Sequence, residues 1–231
     1  PWKFINKNSK QLPRPLSVIY RKEKGFSEFL LLSLDAQSIL KSLWINKKIS
    51  EKLKFDEDDD ETILIKIQDE IDKLKNLVDF DVRIGINVNG DGIYKGEKYI
   101  YSNKVMNLEE HSGFLVYLTD KYNLVYVENP FISEDRESFG KFMKQTKHTT
   151  LVCGNTNNGL VNNSFLIKNK INIKNKVQEL KELKINPIIN GNSVLDLHLA
   201  VGFLVPILKH NIVNSNIYDE YQRIESEIKE G

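Results

Sequence analysis

Short apolar runs, each ending in a polar residue and followed by a turn and a helical segment, recur along most of this chain. Four of them are Val82–Val88, Leu124–Val127 ending at Glu128, Thr150–Cys153 ending near Asn155, and Ser164–Ile167 ending at Lys168. An alternation of buried strands with helices is typical of an α/β fold, and in 231 residues it predicts a β/α barrel. Because the carboxyl ends of parallel strands meet at one face of such a barrel, the polar residues that end the runs are expected to share that face.

The first part of the chain has a different pattern. Residues 1–15 are polar, basic and marked by proline, so we interpret them as a linker that enters the barrel, and residues 16–231 as the barrel domain. Two apolar runs, Leu16–Tyr20 and Glu28–Leu34, are separated by a segment that includes the charged stretch Arg21–Gly25. A separation of this length is typical of a hairpin, which predicts two antiparallel opening strands.

Apolar periodicity predicts most of the remaining elements. Helices are expected over residues 34–45, 63–77, 107–122, 133–147, 172–184, 194–203 and 218–229, and further strands over 185–189 and 204–208. Asn89–Gly92 is expected to form a turn. The last strand is expected to end at Lys209, although Pro206 inside it lacks the N–H that a strand interior needs.

The charge and cysteine content exclude several classes of protein. Lys and Arg number 33 against 32 Asp and Glu, so no global excess of charge favours nucleic acid or an anionic membrane. The single cysteine, Cys153, lies in an apolar run; it is interpreted as a core residue, and it excludes a disulfide within the chain. No apolar run is long enough to cross a bilayer and no signal peptide is recognised, which leaves a cytoplasmic protein as the expectation.

Three other groups of residues admit more than one interpretation. The acidic run Phe55–Glu61 is interpreted as a solvated loop leading into a helix N-terminus; a Mg²⁺ or Ca²⁺ site is the alternative, but the run lacks the glycine and the spacing of an EF-hand loop. The lysines near the N-terminus favour a solvated face over contact with RNA. The histidines have no ligand spacing and are expected on the surface or in the core. They are His111, His148, His198 and His210.

Several phrases along the chain are similar to those of one known family. They are Pro1–Ile5, Leu12–Leu16, Phe26–Leu30 (compare Gln-Glu-Phe-Met), Tyr126–Phe131 (Ser-Ile-Glu-Asp-Pro-Phe), Cys153–Asn155 (Val-Gly-Asp-Asp), Phe165–Lys168 (Leu-Leu-Leu-Lys) and Tyr218–Ile224. In this order they cover nearly the whole chain, which resembles the barrel domain of enolase (phosphopyruvate hydratase). The resemblance implies an enolase-type β/α barrel, with two antiparallel opening strands and then six β/α units, with shortened loops and without the family's smaller capping domain.

The resemblance also implies a set of site residues. The family holds Mg²⁺ with three carboxylates, and the positions that match these ligands are Asn87, Glu128 and Asn155. The family's general base matches Lys168, and its second active-site lysine matches Lys209. Glu28 matches a carboxylate near the leaving hydroxyl. Lysines that are simply solvated, and a Glu128 with a structural role, are the alternative interpretations.

Other parts of the family's active site have no match. The Gly-Asp-Glu-Gly-Gly loop that carries its catalytic acid is missing, the loop after the first strand is cut to Arg21–Gly25, and the phosphate-binding segment Ser-His-Arg-Ser has become Asn190–Ser193. Amides at two of the three ligand positions also weaken the attraction for Mg²⁺, a hard cation that prefers anionic oxygen. Mg²⁺ is therefore expected to bind weakly at most, or not at all.

These losses predict an enolase-like pseudoenzyme, a catalytically impaired homologue that acts as a binding or structural subunit. Its expected partner is an unknown protein or a second copy of itself, and neither a membrane nor nucleic acid is expected. The alternative is an active phosphopyruvate hydratase, a Mg²⁺-dependent lyase of glycolysis that converts the small phosphorylated acid 2-phosphoglycerate to phosphoenolpyruvate. The fold alone does not decide between the two, because barrels host unrelated functions.

Overall fold

Eight strands of this chain close into one barrel, with helices packed on its outside. The computed structural model describes residues 2–6, 8–9, 11–55, 59–154, 162–212 and 215–230. The strands are β1 (Arg14–Arg21), β2 (Glu28–Leu34), β3 (Asp81–Asn87), β4 (Tyr94–Lys95), β5 (Lys98–Ile100), β6 (Val105–Met106), β7 (Tyr126–Glu128), β8 (Leu151–Cys153), β9 (Ser164–Ile167), β10 (Asn186–Asn190) and β11 (Ile207–Asn211). The helices are α1 (Trp2–Ile5), α2 (Ile39–Lys52), α3 (Asp60–Leu74), α4 (Gly90–Ile93), α5 (Leu108–Lys121), α6 (Arg136–Gln145), α7 (Ile173–Glu182), α8 (Val194–Gly202) and α9 (Ser215–Glu230), and a 3₁₀ turn spans Lys75–Leu77.

The barrel combines parallel and antiparallel pairing. The strand order around the ring is β1, β11, β10, β9, β8, β7, β3 and β2. β2 is antiparallel to both of its neighbours, β1 and β3, whereas the other neighbouring pairs in the ring are parallel. The predicted α/β barrel is confirmed as a closed eight-stranded barrel. The predicted opening hairpin is confirmed by the pairing of β1 with β2.

Several helices begin where a side chain satisfies the free backbone N–H groups of the first turn. Asp59 accepts hydrogen bonds from the backbone N–H groups of Glu61 and Thr62, which confirms that the acidic run leads into a helix N-terminus. Residues 56–58 of that run lie outside the described part of the chain. Asn107 and Glu110 form a capping box at the start of α5. Within the described ranges, no helix is both long and apolar enough to span a membrane.

The last strand differs from its prediction over residues 204–208. β11 spans Ile207–Asn211, and Leu204 adopts a left-handed conformation, with φ of 53°, after the end of α8. Pro206 lies before the strand, where its missing N–H breaks no ladder bond and its carbonyl accepts a hydrogen bond of 2.8 Å from the Arg14 N–H. The prediction that the strand ends at Lys209 is therefore wrong, because Lys209 lies inside it.

Residues 94–106 form a small antiparallel sheet that the sequence pattern does not predict. β4, β5 and β6 pair in that order, separately from the barrel. Strands of two or three residues are too short to show an alternation of apolar and polar positions. The turn expected at Asn89–Gly92 is the short helix α4, which begins after Asn89 in a left-handed conformation.

The hydrophobic core has one layer inside the barrel and further layers between the barrel and the helices. The inner layer includes Leu16, Leu30, Tyr126, Cys153, Leu166 and Ile188. Cys153 is fully buried, so its predicted core role is confirmed. Three of the four histidines are buried, and only His148 is exposed.

The N-terminal segment packs against α8 before the first strand begins. Trp2 is buried, and the Ser9 hydroxyl donates a hydrogen bond of 2.9 Å to the Val201 carbonyl. A Cβ added to Gly202 would lie 2.6 Å from the Cβ of Ile5, so only glycine allows this close approach. The segment therefore contributes to the core, while the domain boundary at residue 15 stays a prediction.

Candidate functional site

Residues of five neighbouring strands form one row on the inner face of the barrel. Glu28 pairs with Asn87, Asn87 with Glu128, Glu128 with Cys153, and Cys153 with Ser164. Side chains of directly opposed residues in a sheet point to the same side, and Cys153 belongs to the inner core layer. Because β3, β7 and β8 end at three members of this row, the row lies at the face formed by the carboxyl ends of the parallel strands.

A buried lysine joins this row from another part of the ring. Lys209 of β11 pairs with Leu16 and Asn190 in the sheet, and its side chain is only 4% exposed. Its ammonium group donates hydrogen bonds to Glu28 Oε2 and to Glu128 Oε2. One cation thus lies between two carboxylates that come from β2 and β7. We call Glu28, Asn87, Glu128 and Lys209 the mouth cluster.

In the mouth cluster, Lys209 favours the charged form of Glu28, and the two glutamates favour the charged form of Lys209. Burial alone raises the pKa of Glu28, but the charge and hydrogen bond of Lys209, together with Asn87 and Arg21, lower the pKa below its ordinary 4.5. Burial lowers the pKa of Lys209, but Glu128 and Glu28 raise it above its ordinary 10.5. At neutral pH the Glu28 carboxylate and the Lys209 ammonium are therefore both charged.

Two further residues contact the mouth cluster, and neither was predicted from the sequence to be a site residue. Arg21 Nε donates a hydrogen bond of 3.1 Å to Glu28 Oε1, and the Tyr126 hydroxyl donates one of 2.8 Å to Glu128 Oε2. Tyr126 precedes Glu128 by two residues, so the period of a strand places both on one face. Arg21 faces Glu28 across the hairpin. The Tyr126 contact follows from the strand period, which is readable in the sequence. The Arg21 contact depends on the register of the hairpin, which shifts between Val18 and Tyr20 and is not readable from the apolar pattern.

Lys168 lies at the same level of the barrel as Lys209. It directly follows β9, and Leu166, two residues earlier, pairs with Ile188 of β10. Continuing that register places Lys168 beside Asn190, which itself pairs with Lys209. The two lysines therefore stand on either side of β10, at the carboxyl-end face that the sequence predicts for them.

The surroundings of Lys168 differ from those of the mouth cluster. Lys168 is exposed and borders a cavity of about 550 Å³, which Gly154, Phe165, Asn172 and Lys176 also line. The structure thus brings Glu28, Asn87, Glu128 and Lys209 into direct contact and leaves Lys168 at the open edge. Asn155, the third of the matched ligand positions, lies outside the described residues. The catalytic and metal-binding roles of all six positions stay predictions.

The carboxylate of Asp196 lies in the first turn of α8. Asp196 forms a capping box with Ser193, whose hydroxyl donates a hydrogen bond of 2.7 Å to Asp196 Oδ2. Lys170 Nζ lies 3.4 Å from Asp196 Oδ1 and donates a hydrogen bond of 2.7 Å to the Asn190 carbonyl. A Cβ on Gly191 would lie 2.1 Å from Asp196 Cγ, so the carboxylate fills the space beside Asn190–Ser193. The Asp196 carboxylate therefore fills the position that an anion would take at this helix end.

The described side chains do not fit a Mg²⁺ ion in the arrangement that the structure shows. Mg²⁺ requires oxygen ligands in near-octahedral geometry. Here Asn87 Nδ2 donates a hydrogen bond of 3.1 Å to Glu28, and Asn87 Oδ1 accepts one of the same length from the Asn89 N–H. Glu28 and Glu128 both accept from Lys209. Among the described residues there is also no group of three or more His, Cys, Asp or Glu that could hold a metal ion.

The fold and the site define a β/α-barrel protein with a buried polar cluster at the carboxyl ends of its strands. No protein-family model matches the chain. It is 29% identical to an enolase of Archaeoglobus fulgidus over 170 residues, which are 63% of this chain and 42% of that relative. An enolase of Natronomonas pharaonis is 27% identical over 55% of this chain and 36% of its own length. An enolase of Halobacterium salinarum is 24% identical over 56% of this chain and 37% of its own length.

These matches establish a distant relationship between this chain and the enolase family, and they confirm the resemblance. The matched segments span less than half the length of those three relatives.

Proposed function

We propose that this chain is an enolase-like barrel that carries little or no lyase activity and acts as a binding or structural subunit. The observation that carries the proposal is the ion pairing of Lys209 with both Glu28 and Glu128 in a buried cluster. A lysine whose ammonium is held between two carboxylates of its own chain has lost most of its attraction for an anionic substrate. Within the described part of the chain, both carboxylates of the cluster already accept hydrogen bonds from protein donors.

The edge of the barrel at α8 supports the same conclusion. A helix N-terminus favours an anion such as a phosphate, because its free N–H groups point outward. At α8 this role is taken by Asp196, which accepts a hydrogen bond of 3.1 Å from the Ser193 N–H. Lys170 neutralises that carboxylate. A phosphorylated acid would have to displace a carboxylate that is already capped and paired.

The alternative, an active phosphopyruvate hydratase, is favoured by a different observation. Glu28, Glu128 and Lys209 are in contact, and Lys168 stands at the same face of the barrel. An acid–base reaction requires a base within hydrogen-bond reach of the proton that it removes. Catalysis would therefore need the exposed Lys168 side chain to turn over the mouth cluster and a cation to enter it.

An enzyme assay separates the two functions. The purified chain is mixed with 2-phosphoglycerate and excess Mg²⁺, and the absorbance of the enol product is followed. We expect no turnover above that of a Lys168→Ala variant. Robust turnover by the unmodified chain that is lost in this variant would show that the chain is a working enzyme.

The structural role is tested by the state of association of the chain. Sedimentation velocity over a wide range of concentration, without added substrate or metal, reports whether the chain pairs with itself. We propose a second copy of the chain, or another protein, as the partner. A chain that stays monomeric at all concentrations would leave a different protein as the partner and would exclude self-association.

A further inference from the structure

We propose that the groove between α5 and α6 is the surface through which two copies of this chain pair about a two-fold axis. The inference deepens the proposed function and rests on it in one respect, that a second copy of the chain is the partner. The groove holds a cavity of about 800 Å³, and we call it the α5–α6 groove. Its lining includes Leu108, Glu109, Gly113, Val116, Lys141 and Lys144.

The α5 side of the groove presents apolar and small residues to its open space. Leu108 is 43% exposed at the start of α5, and Val116, about two turns further along, is partly exposed. Gly113 lies between them on the same helix, and a Cβ at this position would meet nothing within 4 Å. A glycine inside a helix costs about 1 kcal/mol relative to alanine. Because no neighbour in the described part of the chain fills the space beside Gly113, that space is open to a helix of another molecule.

The charges at the rim of the groove differ in sign between its two ends. Glu109 is the second residue of α5, whereas Lys144 is the last but one of α6. Both helices connect parallel strands of the barrel, so they run in the same direction and these two residues lie at opposite ends. Both side chains are exposed, and within the described ranges neither forms an ion pair.

A two-fold axis matches both ends of the groove at once. Rotation by a half-turn about an axis perpendicular to the helices brings Glu109 of one copy to Lys144 of the other, and the reciprocal contact forms with it. The same rotation sets the two α5 helices antiparallel, which also opposes their dipoles. Lys141 is already paired with Glu137 at 2.6 Å and adds no net charge. A partner with charge of one sign would meet one favourable and one unfavourable end, so the pattern favours a second copy.

The size of the groove sets the strength expected of the pairing. The helices have 14 and 10 residues, which correspond to about 21 and 15 Å. With their axes about 10 Å apart, they present a face smaller than the roughly 800 Å² per partner of a standard interface. Exposed ion pairs orient the partners more than they add affinity. The expected dimer is therefore weak, with a dissociation constant of about 10–100 µM.

The test is sedimentation velocity of the full chain and its variants, at concentrations from well below to well above this dissociation constant. Gly113→Arg fills the groove and should leave the fold intact, because a Cβ there meets nothing. Glu109→Lys and Lys144→Glu each set like charges against one another in both symmetric contacts, and the double variant restores opposite charges. Lys174→Glu, at an exposed position of α7, is the matched control. The melting temperature shows whether each variant is folded.

We expect the unmodified chain to form a dimer and no larger species. Gly113→Arg and each single charge reversal are expected to weaken the dimer at least about tenfold, which corresponds to about 1.4 kcal/mol. The double variant Glu109→Lys/Lys144→Glu is expected to recover the affinity of the unmodified chain to within about threefold, which corresponds to about 0.7 kcal/mol. Lys174→Glu is expected to change it by less than the same factor.

Four results would overturn the proposal. They are an unmodified chain that stays monomeric at all concentrations, an assembly larger than a dimer, a folded Gly113→Arg variant that dimerises as well as the unmodified chain, and a double variant as weak as the single reversals. If Gly113→Arg does not fold, the charge reversals decide: loss in both single variants with recovery in the double supports the groove, and dimers that they leave unchanged reject it. Failure of the proposed function is seen separately, because turnover of 2-phosphoglycerate tests the lyase activity and sedimentation of these variants tests the surface.

Discussion

The side-chain amide of Asn87 donates a hydrogen bond of 3.1 Å to the carboxylate of Glu28. A carboxylate at position 87 would instead place a second negative charge beside Glu28. The charge and hydrogen bond of Lys209 are the main reason why the pKa of Glu28 is lowered in this partly buried place, and the Asn87 amide adds to that effect. Together with Arg21 and Lys209 it gives the two oxygens three donors. The amide at position 87 is therefore part of a complete arrangement and not only the loss of a metal ligand.

Asn87→Asp is expected to destabilise the fold by about 1–3 kcal/mol at pH 7, because it removes the hydrogen bond and places a second negative charge beside Glu28. The difference from the unmodified chain should shrink towards pH 4, where the introduced carboxyl takes up a proton. Urea denaturation at the two pH values measures this. Asn76→Asp, at an exposed position, is the control and should change stability little. A variant as stable as the parent at pH 7 would contradict the role given to the amide.

His111 is expected to make the fold sensitive to mild acid. Its Nε2–H donates to the Pro130 carbonyl at 2.7 Å, its Nδ1 accepts from the Tyr101 hydroxyl at 2.8 Å, and its ring stacks on Tyr99. Burial lowers the pKa of His111 to about 4, against an ordinary 6.5. Between pH 6.5 and about pH 4, His111 is therefore protonated in the unfolded chain but not in the folded chain. Over this range His111 lowers the free energy of unfolding by about 1.4 kcal/mol for each pH unit of acidification.

The measurement is the free energy of unfolding in urea at several pH values between 7 and 4. His111→Phe is expected to be less stable at pH 7, because Tyr101 loses its acceptor, and to show a shallower decline with acid. His148→Phe is the matched control, since His148 is exposed and its replacement should leave the slope unchanged. Equal slopes in the parent and in His111→Phe would show that the histidine is not held neutral.

Gly25 is expected to be far less tolerant of substitution than Gly96. Both have positive φ, 82° and 56°, but a Cβ on Gly25 would lie 2.2 Å from Asp60 Oδ2, and a Cβ on Gly96 would meet nothing within 4 Å. Gly25→Ala is therefore expected to destabilise the fold by about 2–4 kcal/mol, through strain and displacement of Asp60 from Lys22, and Gly96→Ala by about 1 kcal/mol from strain alone. Chemical denaturation of the two variants measures the difference. Similar losses in both would mean that the contact with Asp60 is unimportant.

Cys153 is expected to be inert towards thiol reagents while the chain is folded. Burial, with the charge of Glu128 beside it, raises the pKa of Cys153 to about 12, and reagents attack the thiolate. Labelling with a chromogenic disulfide should therefore be absent under native conditions and should reach one thiol per chain in urea. Its rate at intermediate urea should follow global unfolding. Rapid labelling of the native protein would show that the barrel mouth opens locally.

The strand ends of the barrel could be predicted because apolar runs have a simple period and end in polar residues. This logic places Glu128, which follows the run Leu124–Val127, at the carboxyl-end face. Glu28 begins its strand and Asn87 lies inside its run, so both were assigned to that face through the resemblance to the enolase family. The bounds of the last strand could not be obtained in this way, because β11 starts at Ile207, after Pro206 and the left-handed Leu204, and so three residues later than the predicted start at residue 204. That delay places the lysine inside the strand, between two neighbours that hold it.

The orientation of individual polar side chains could not be predicted from the sequence either. From the sequence, the amide of Asn87 was interpreted as a weakened metal ligand. Only the structure shows that its nitrogen donates a hydrogen bond to Glu28. Similarly, Asp196 reads as part of a helix start, whereas its pairing with Lys170 depends on the approach of the chain after β9. Such contacts join residues that are distant in sequence, so no local pattern carries them.

A counter-ion that belongs to the polypeptide cannot be diluted away or removed by a chelator. Free divalent ions occupy a site according to their concentration, whereas the Lys209 ammonium is held beside its carboxylates at a fixed, very high local concentration. The charges of Glu28 and Glu128 are therefore expected to stay balanced when free ions are removed, and treatment with EDTA should leave the melting temperature of the chain unchanged.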